Sequence, residues 1–331
     1  MKAILHTTYG PPERLVTADI ERPMPAADGV LVRVHAASVN AYDWHMIRGK
    51  PYMARPGEGL RRPKDQATGV DASGIVEAVG SGVDHVRVGD RVFGARNGAF
   101  AEYVSGRTFV RMPAGLTFEE AAAVPTAGCT ALQAIRNKAE LQAGQRVLIT
   151  GAGGGVGTFA VQIGKAFGAH VTAETGSSKA DLVASLGADQ VIERGRNDLV
   201  AAGPFDAIVD VGGGRPLGYL GRALGPGGTL VIVGPGQGNW LGPIAHLASG
   251  VIRSRMGSRR FRPFLASVTR DDLVVLRELI EAGKVRSVID STFSLDDVAK
   301  AVRRVEEGGA RGKVVIRVVN DSGNGAGRGV P

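Results

Sequence analysis

The run Arg146-Val-Leu-Ile-Thr-Gly-Ala-Gly-Gly-Gly-Val-Gly157 constrains this chain more than any other part of it. It passes from an apolar strand through a glycine-rich turn into a helix. Such a turn lets the backbone bend sharply and approach a pyrophosphate, whose charge then meets amide groups at a helix N-terminus. Gly154 and Gly157 fill two of the three fingerprint positions, and Ala152 stands where the first glycine is usual. Gly151, Gly153, Gly155 and Val156 complete the expected cofactor loop. The sequence continues as a helix over Val156 to Phe167 and a second strand over His170 to Glu174, which is the context a dinucleotide site requires.

With 331 residues, 44% of them hydrophobic, the chain is long enough for two packed domains. No apolar run reaches the ~18 residues of a membrane span, and Met1-Lys-Ala-Ile-Leu-His lacks the apolar core of a secretory signal, so a cytoplasmic protein away from membranes is expected. Cys129 is the single cysteine, which excludes an internal disulfide and any multi-cysteine structural zinc site. The formal charge of +8 is spread along the chain among acidic residues, so no nucleic-acid partner is expected. The densest basic cluster, Arg253, Arg255, Arg259, Arg260 and Arg262, reads either as a solvated loop or helix face or as a patch steering an anion.

Residues 1 to about 124 read as short strands between Gly and Pro turns, including Val30 to Ala36, Gly74 to Val79 and Asp90 to Phe93. From about Ala121 helices alternate with strands. Helices are expected over Glu119 to Asn137, Val156 to Phe167, Lys179 to Leu186 and Gly214 to Leu224. Strands are expected over Val147 to Thr150, Val171 to Ala173, Gln190 to Ile192, Ala207 to Val211 and Thr229 to Val233. This alternation implies an α/β fold with a doubly wound parallel sheet. An amphipathic helix over Asp271 to Gly283, a segment Ser287 to Phe293, a helix from Asp296 and a strand Gly312 to Val318 are expected to return to the first domain. The division is therefore 1–124 with 265–319, and 125–264, followed by a disordered tail, 320–331.

Taken together, several segments resemble the medium-chain dehydrogenase/reductase superfamily and, within it, the zinc-independent quinone oxidoreductase branch. They are Ala37-Ser-Val-Asn-Ala-Tyr-Asp43, Gly69-Val-Asp-Ala-Ser-Gly-Ile-Val76, Val88-Gly-Asp-Arg-Val-Phe-Gly94, Ala99-Phe-Ala-Glu-Tyr103, Ala121-Ala-Ala-Val-Pro125, the glycine loop and Leu186-Gly-Ala-Asp189. The resemblance implies a discontinuous GroES-like catalytic domain, a Rossmann domain and an active site between them. Zinc alcohol dehydrogenases of the superfamily hold a catalytic metal through a Cys and a His. At the matching places this chain has Asn40, and Val70 followed by Asp71, and the four-cysteine lobe is missing. Without zinc, the better-suited chemistry is hydride transfer from a reduced nicotinamide to a carbon conjugated with a carbonyl.

By the same resemblance Asn40 points into the cleft as a hydrogen-bond donor near substrate; its local alternative is to cap the next turn. Tyr52, between Pro51 and Pro56, is a candidate proton donor, or else a surface aromatic. His45 stands where relatives often have Tyr or Lys, and structural packing is the competing reading. Thr130 is matched to the nicotinamide carboxamide, while Cys129 beside it reads as a packed thiol and not a nucleophile. Val211, Gly212, Val233 and Gly234 end parallel strands at the ligand-binding edge, and Lys313 is a further cofactor candidate.

Cofactor choice turns on the end of the second strand. Glu174 would favour the diol of NADH. Thr175, Ser177, Ser178 and Lys179 would favour a 2′-phosphate, and the family match places Thr175 at the deciding position, so NADPH is expected with NADH as the alternative. The reading is a homodimeric NADPH-dependent reductase of quinones or enones. Its alternatives are an enoyl-thioester reductase of lipid or polyketide assembly, served by the arginine cluster, and a non-catalytic NADPH sensor.

Overall fold

The computed structural model describes residues 1–50, 52, 55–196, 198–233 and 259–319. Gly234, Arg253, Arg255 and the tail from 320 lie outside the described residues.

Two large sheets carry the chain. The first is built from β3 (Val30–Val39), β4 (Asp71–Val79), β5 (Arg91–Ala95), β6 (Tyr103–Gly106) and β7 (Val110–Arg111), and is joined by β14 (Ile289–Ser294) and β15 (Lys313–Arg317). Its strands run antiparallel except for the β14/β15 pair. A small ribbon of β1 (Lys2–Leu5) and β2 (Val16–Asp19) accompanies it. The second sheet has six parallel strands, β8 (Arg146–Thr150), β9 (His170–Thr175), β10 (Gln190–Glu193), β11 (Phe205–Asp210), β12 (Leu224–Val233) and β13 (Arg260–Phe264). Their order, β10-β9-β8-β11-β12-β13, is that of a dinucleotide-binding sheet with its crevice where the winding reverses, between β8 and β11.

Both faces of the parallel sheet are buried, so alternate residues serve different cores. Val147, Ile149, Val171, Ala173 and Val209 face the helix α5 (Gly155–Ala166) with its Phe159, Ala160 and Ile163; Leu148, Ile192, Ile208 and Leu230 face Leu217 and Leu220 of α8 (Leu217–Ala223).

Three expectations change. The helix over 119–137 is broken. Thr117 caps α3 (Phe118–Ala122) through its hydroxyl, Pro125 begins α4 (Pro125–Leu132), and a wider π-helical turn covers Gln133–Ala139. Proline tolerates the first helical turn but disfavours helix in the residue before it, which explains the break. The second change concerns the basic cluster, because Arg260 and Arg262 stand on β13 and not on a loop or helix. The Phe261 ring between them is buried and draws the segment into the sheet. Third, α9 (Arg270–Glu281) packs on α4, and its Leu273 and Leu276 join the core of the parallel sheet, so the chain returns to the first sheet only at Ile289.

Candidate active site

The glycine loop departs from the carboxyl end of β8. Gly151 has φ +64°, and a Cβ on Gly157 would stand 2.3 Å from the Gly151 carbonyl oxygen, so neither position accepts a side chain without movement. Gly154 caps α5 with no side chain above the helix end. Around it, a Cβ on Gly151 would meet Gly212 Cα at 2.8 Å, and one on Gly153 would meet Thr175 Oγ1 at 2.8 Å and Lys179. The loop is therefore a closely packed backbone turn at the sheet edge, bare of side chains from Gly153 to Gly155, of the form that admits a pyrophosphate. Thr150 Oγ1 donates to Asp210 at 2.6 Å and accepts from the Gly212 amide, which ties the loop to the end of β11. Val211 follows that strand and Val233 ends β12 at the same edge.

From the loop the architecture crosses to the first sheet. The Gly312 amide donates to the Gly153 carbonyl at 3.1 Å, and Lys313, the first residue of β15, lays its stem 3.1 Å from where a Gly155 Cβ would be. Its ammonium then donates to Asn40 Oδ1 at 2.5 Å and lies 3.5 Å from Asp71 Oδ2. Asn40 Nδ2 donates to the same Asp71 oxygen at 3.0 Å, as does the Ser38 hydroxyl at 3.2 Å. Asp71 Oδ1 accepts from Thr126, from its amide at 3.1 Å and its hydroxyl at 2.5 Å. One buried carboxylate thus gathers groups from β3, β15 and the start of α4.

Asn40 precedes α1 (Ala41–Arg48), and its backbone amide donates to Asp43 at 2.7 Å. Asn40 and Asp43 form a capping box at the start of α1, and the Asn40 side chain also meets Asp71 and Lys313, so the turn-capping role and the cleft role coexist. Burial, reinforced by the Asp71 carboxylate, pushes Asp43 up to about 7. Burial also lowers the Lys313 ammonium from its ordinary value, opposed by the Asp71 and Asp43 carboxylates. Asp71 and Lys313 form a buried pair beside Asp43, whose burial favours its protonated form. An ammonium thus lies between Asn40, which stands at one metal-ligand position, and Asp71, which follows Val70 at the other. Among the described residues no group of three His, Cys, Asp or Glu side chains is placed to hold a metal ion.

Thr130 sits one helical turn beyond Thr126 and donates to its carbonyl at 2.6 Å, which sets it on the same side of α4 as the Asp71 contact. Tyr52 lies beneath the Arg55 guanidinium, 4.6 Å from the ring centre. His45 is not brought into the Asn40 group. Its ring stacks on Trp44 at 3.6 Å, its buried Nδ1 has no hydrogen-bond partner among the described residues, and burial lowers its pKa. Cys129 is fully buried and burial raises its thiol pKa far above the ordinary value, consistent with a packed thiol.

At the far end of the loop, Ser177 and Ser178 are exposed on a single turn after β9, while Lys179 donates to the Ala310 carbonyl at 2.6 Å. Burial lowers the Lys179 pKa. The Glu174 carboxylate turns to the opposite face of the sheet from Thr175 and meets Arg215 Nη2 at 2.5 Å. Sequence reasoning missed Asp71 as the hub of the cleft group, and missed Arg194 and Arg215. The Asp71 signal was present in its position beside the expected metal-ligand site. The two arginines lie in separate loops with no local pattern.

The matches to known proteins agree with this geometry. Residues 26–134 match the alcohol dehydrogenase GroES-like domain and residues 186–316 the zinc-binding dehydrogenase domain. The human mitochondrial NAD(P)H oxidoreductase RTN4IP1 is 37% identical, over 88% of this chain and 82% of its own length. A trans-enoyl reductase of Aspergillus terreus is 32% identical, over 88% and 86%. The solved structure of a quinone oxidoreductase from Coxiella burnetii superposes with a TM-score of 0.84 at 30% identity, covering 96% of this chain and 99% of that one. The chain belongs to the medium-chain dehydrogenase/reductase superfamily, in its quinone oxidoreductase-like branch.

Proposed function

We propose that the protein is a zinc-independent, NADPH-dependent oxidoreductase acting on quinones or α,β-unsaturated carbonyl compounds. The observation that carries this reading is the Asn40–Asp71–Lys313 group, joined directly to the glycine loop through Gly312. Asn, Asp and a lysine ammonium are a poor donor set for zinc, since the ammonium offers no lone pair and repels a cation.

When bound, the nicotinamide supplies a hydride to the electrophilic β-carbon of the substrate. The chain's own residues do the rest. Gly151, Ala152, Gly153, Gly154, Gly155, Val156 and Gly157 receive the pyrophosphate, Thr175, Ser177, Ser178 and Lys179 the adenosine end, and Val211, Gly212, Val233, Gly234 and Thr130 the nicotinamide end. Asn40 is held by Lys313 and Asp71 in one orientation, so the Nδ2 hydrogen not used by Asp71 can meet substrate oxygen without reorganisation. As the β-carbon gains its new bond, the carbon–carbon π pair shifts to form an enolate. Tyr52 or water then supplies the proton that completes the reduced carbonyl compound. We place the protein in the cytoplasm as a homodimer.

NADPH and NADH oxidation followed in parallel against quinones, enones and enoyl thioesters, with and without chelator, tests the reading. Chelator-resistant turnover that prefers NADPH is expected; chelator-sensitive turnover overturns the metal-free site, and NADPH binding without turnover would leave a sensor. The enoyl-thioester reading is favoured by the trans-enoyl reductase relative, since the same chemistry serves both substrates. Its proposed carrier patch is weakened, because Arg262 is committed to Glu140 at 2.6 Å and Arg260 lies 3.6 Å from the same carboxylate. Turnover confined to the thioesters would select it.

A further inference from the structure

We propose that Glu174 is a positioning residue for the 2′-phosphate of NADPH, holding Arg215 and Arg194 at the adenosine end of the site. This rests on the NADPH reading above and reverses the usual meaning of an acid near this strand end, where a carboxylate binds a ribose diol and selects NADH.

Strand parity comes first. Val171 and Ala173 face α5, so Thr175 faces the glycine loop, where its hydroxyl approaches Gly153, and Glu174 points to the opposite face. The Glu174 side chain is 2% exposed, and a single oxygen, Oε1, accepts from Arg215 Nη2 at 2.5 Å and Nε at 3.1 Å and lies 3.7 Å from Arg194 Nε. A diol needs a carboxylate that reaches outward, and this one is turned inward against guanidinium groups. Meanwhile the Glu174 carbonyl accepts from the Ala152 amide at 3.0 Å, so the strand end is tied to the cofactor loop itself.

The arginines are better placed to meet an anion than the carboxylate is. The Arg194 amide donates to the Thr175 carbonyl at 2.7 Å, its side chain is 57% exposed, and Nη2 lies 3.4 Å from where a Gly212 Cβ would be. It therefore stands over the mouth of the loop, between β9 and the end of β11. Arg215 is 28% exposed and stacks on Tyr219 at 5.3 Å, and the Tyr219 hydroxyl is anchored on Asp198 at 2.6 Å. Lys179, Arg304 and Arg311 share this corner, with Asp290 engaging Arg304 at 2.9 Å. Arg194, Arg215, Lys179, Arg304 and Arg311 stand among Glu174, Asp290, Asp198 and Asp210, and the exposed Arg194, held 3.7 Å from Glu174, is the cation open to a phosphate monoester carrying about −1.5 to −2. Without Glu174, the two arginines would repel each other and leave this geometry.

The test is calorimetric binding of 2′,5′-ADP and 5′-AMP to the full chain, with no turnover involved. Wild type is expected to bind 2′,5′-ADP the more tightly. Glu174→Gln should lose about tenfold for 2′,5′-ADP while 5′-AMP changes less than about twofold, the size of one charge-assisted contact. Arg194→Ala, at an exposed side chain whose loss spares the fold, should show the same selective loss. Unchanged or tighter 2′,5′-ADP binding in Glu174→Gln, an equal loss for both ligands, or no effect of Arg194→Ala would each overturn the inference while leaving the NADPH reading intact. Wild type that does not prefer 2′,5′-ADP would overturn the NADPH reading, and the inference with it.

Discussion

The glycine loop and the Asn40 group touch through Gly312 and Lys313, yet they are made in opposite ways. The loop is one continuous stretch in which shape comes from missing side chains and left-handed backbone at Gly151. The Asn40 group is all side chains, drawn from residues 38, 40, 71, 126 and 313, on elements that meet only when both sheets are assembled. Backbone devices tolerate little change in volume, whereas buried charge tolerates little change in partner.

The largest effect that comparison predicts belongs to the charged group. Lys313→Met keeps most of the stem but leaves Asp71 buried without its counter-charge, a loss of about 3–5 kcal/mol for one member of a buried pair. Thermal unfolding should show a clear fall in Tm. With Asn40 released, kcat/KM for NADPH oxidation should drop at least about a hundredfold, the scale of a misplaced catalytic geometry. Unchanged stability would mean that the hydrogen bonds of Ser38, Asn40 and Thr126 alone support Asp71.

The loop should answer differently to a smaller change. A single methyl at Gly157 would sit 2.3 Å from a backbone oxygen, so Gly157→Ala must shift the loop against its helix at a cost of about 1–3 kcal/mol. Because that shift falls on the cradle, NADPH affinity measured by fluorescence titration should weaken about tenfold or more, with kcat much less affected. Equal losses in kcat and affinity would show that the loop and the Asn40 group act as one unit.

These two regions also explain what the sequence could convey. The Arg146 to Gly157 run and the alternation of strands with helices after it are local patterns, and they mark the parallel sheet and its ligand edge in the sequence itself. The break at Pro125 needed the boundary between α3 and α4, and β13 escaped notice because Arg260 and Arg262 disguise a strand whose only buried ring is Phe261. In the site, Asn40 and Lys313 could be named singly but not joined. Their union depends on antiparallel pairing of β15 with β3, which sets Val314 opposite Val39 across a separation in sequence that no local pattern spans. Glu174 is the sharpest case, since its position was visible but the direction of its side chain, and hence its meaning, depended on strand parity and on Arg215.

A subtler probe of the buried group is pH. Asp43 holds its proton up to about 7 in the folded protein, against 3.8 in the open chain, so between these values the folded state keeps a proton that the unfolded state has released. Stability from this source is therefore full below about 4 and is lost as pH rises towards 7. Asp43→Asn, which can still accept from the Asn40 amide, should flatten the dependence of Tm on pH across that window and gain most over wild type near pH 8. The groups facing Asp43 are Asp71 and Lys313, and Lys313 titrates from the alkaline side. An identical pH slope in the two proteins would show that Asp43 is ionised throughout.

The smallest effect is expected at the residue whose chemistry looks most reactive. Cys129 lies one position before Thr130 on α4, close to the proposed nicotinamide end, which invites a nucleophilic role. Its surroundings argue against one, because the thiol is fully enclosed in the core that spans α4 and the parallel sheet, and the nearby Asp272 and Asp71 carboxylates further disfavour a thiolate. Such a thiol packs as a small apolar group. Cys129→Ala should leave kcat/KM within about twofold and cost ~1 kcal/mol in stability, the scale of a modest core truncation. Alkylating reagents should inactivate wild type no faster than it unfolds. Rapid inactivation, or a large fall in kcat with Tm preserved, would place a working thiolate beside Thr130 and draw the boundary between packing and chemistry one residue away from where the structure puts it.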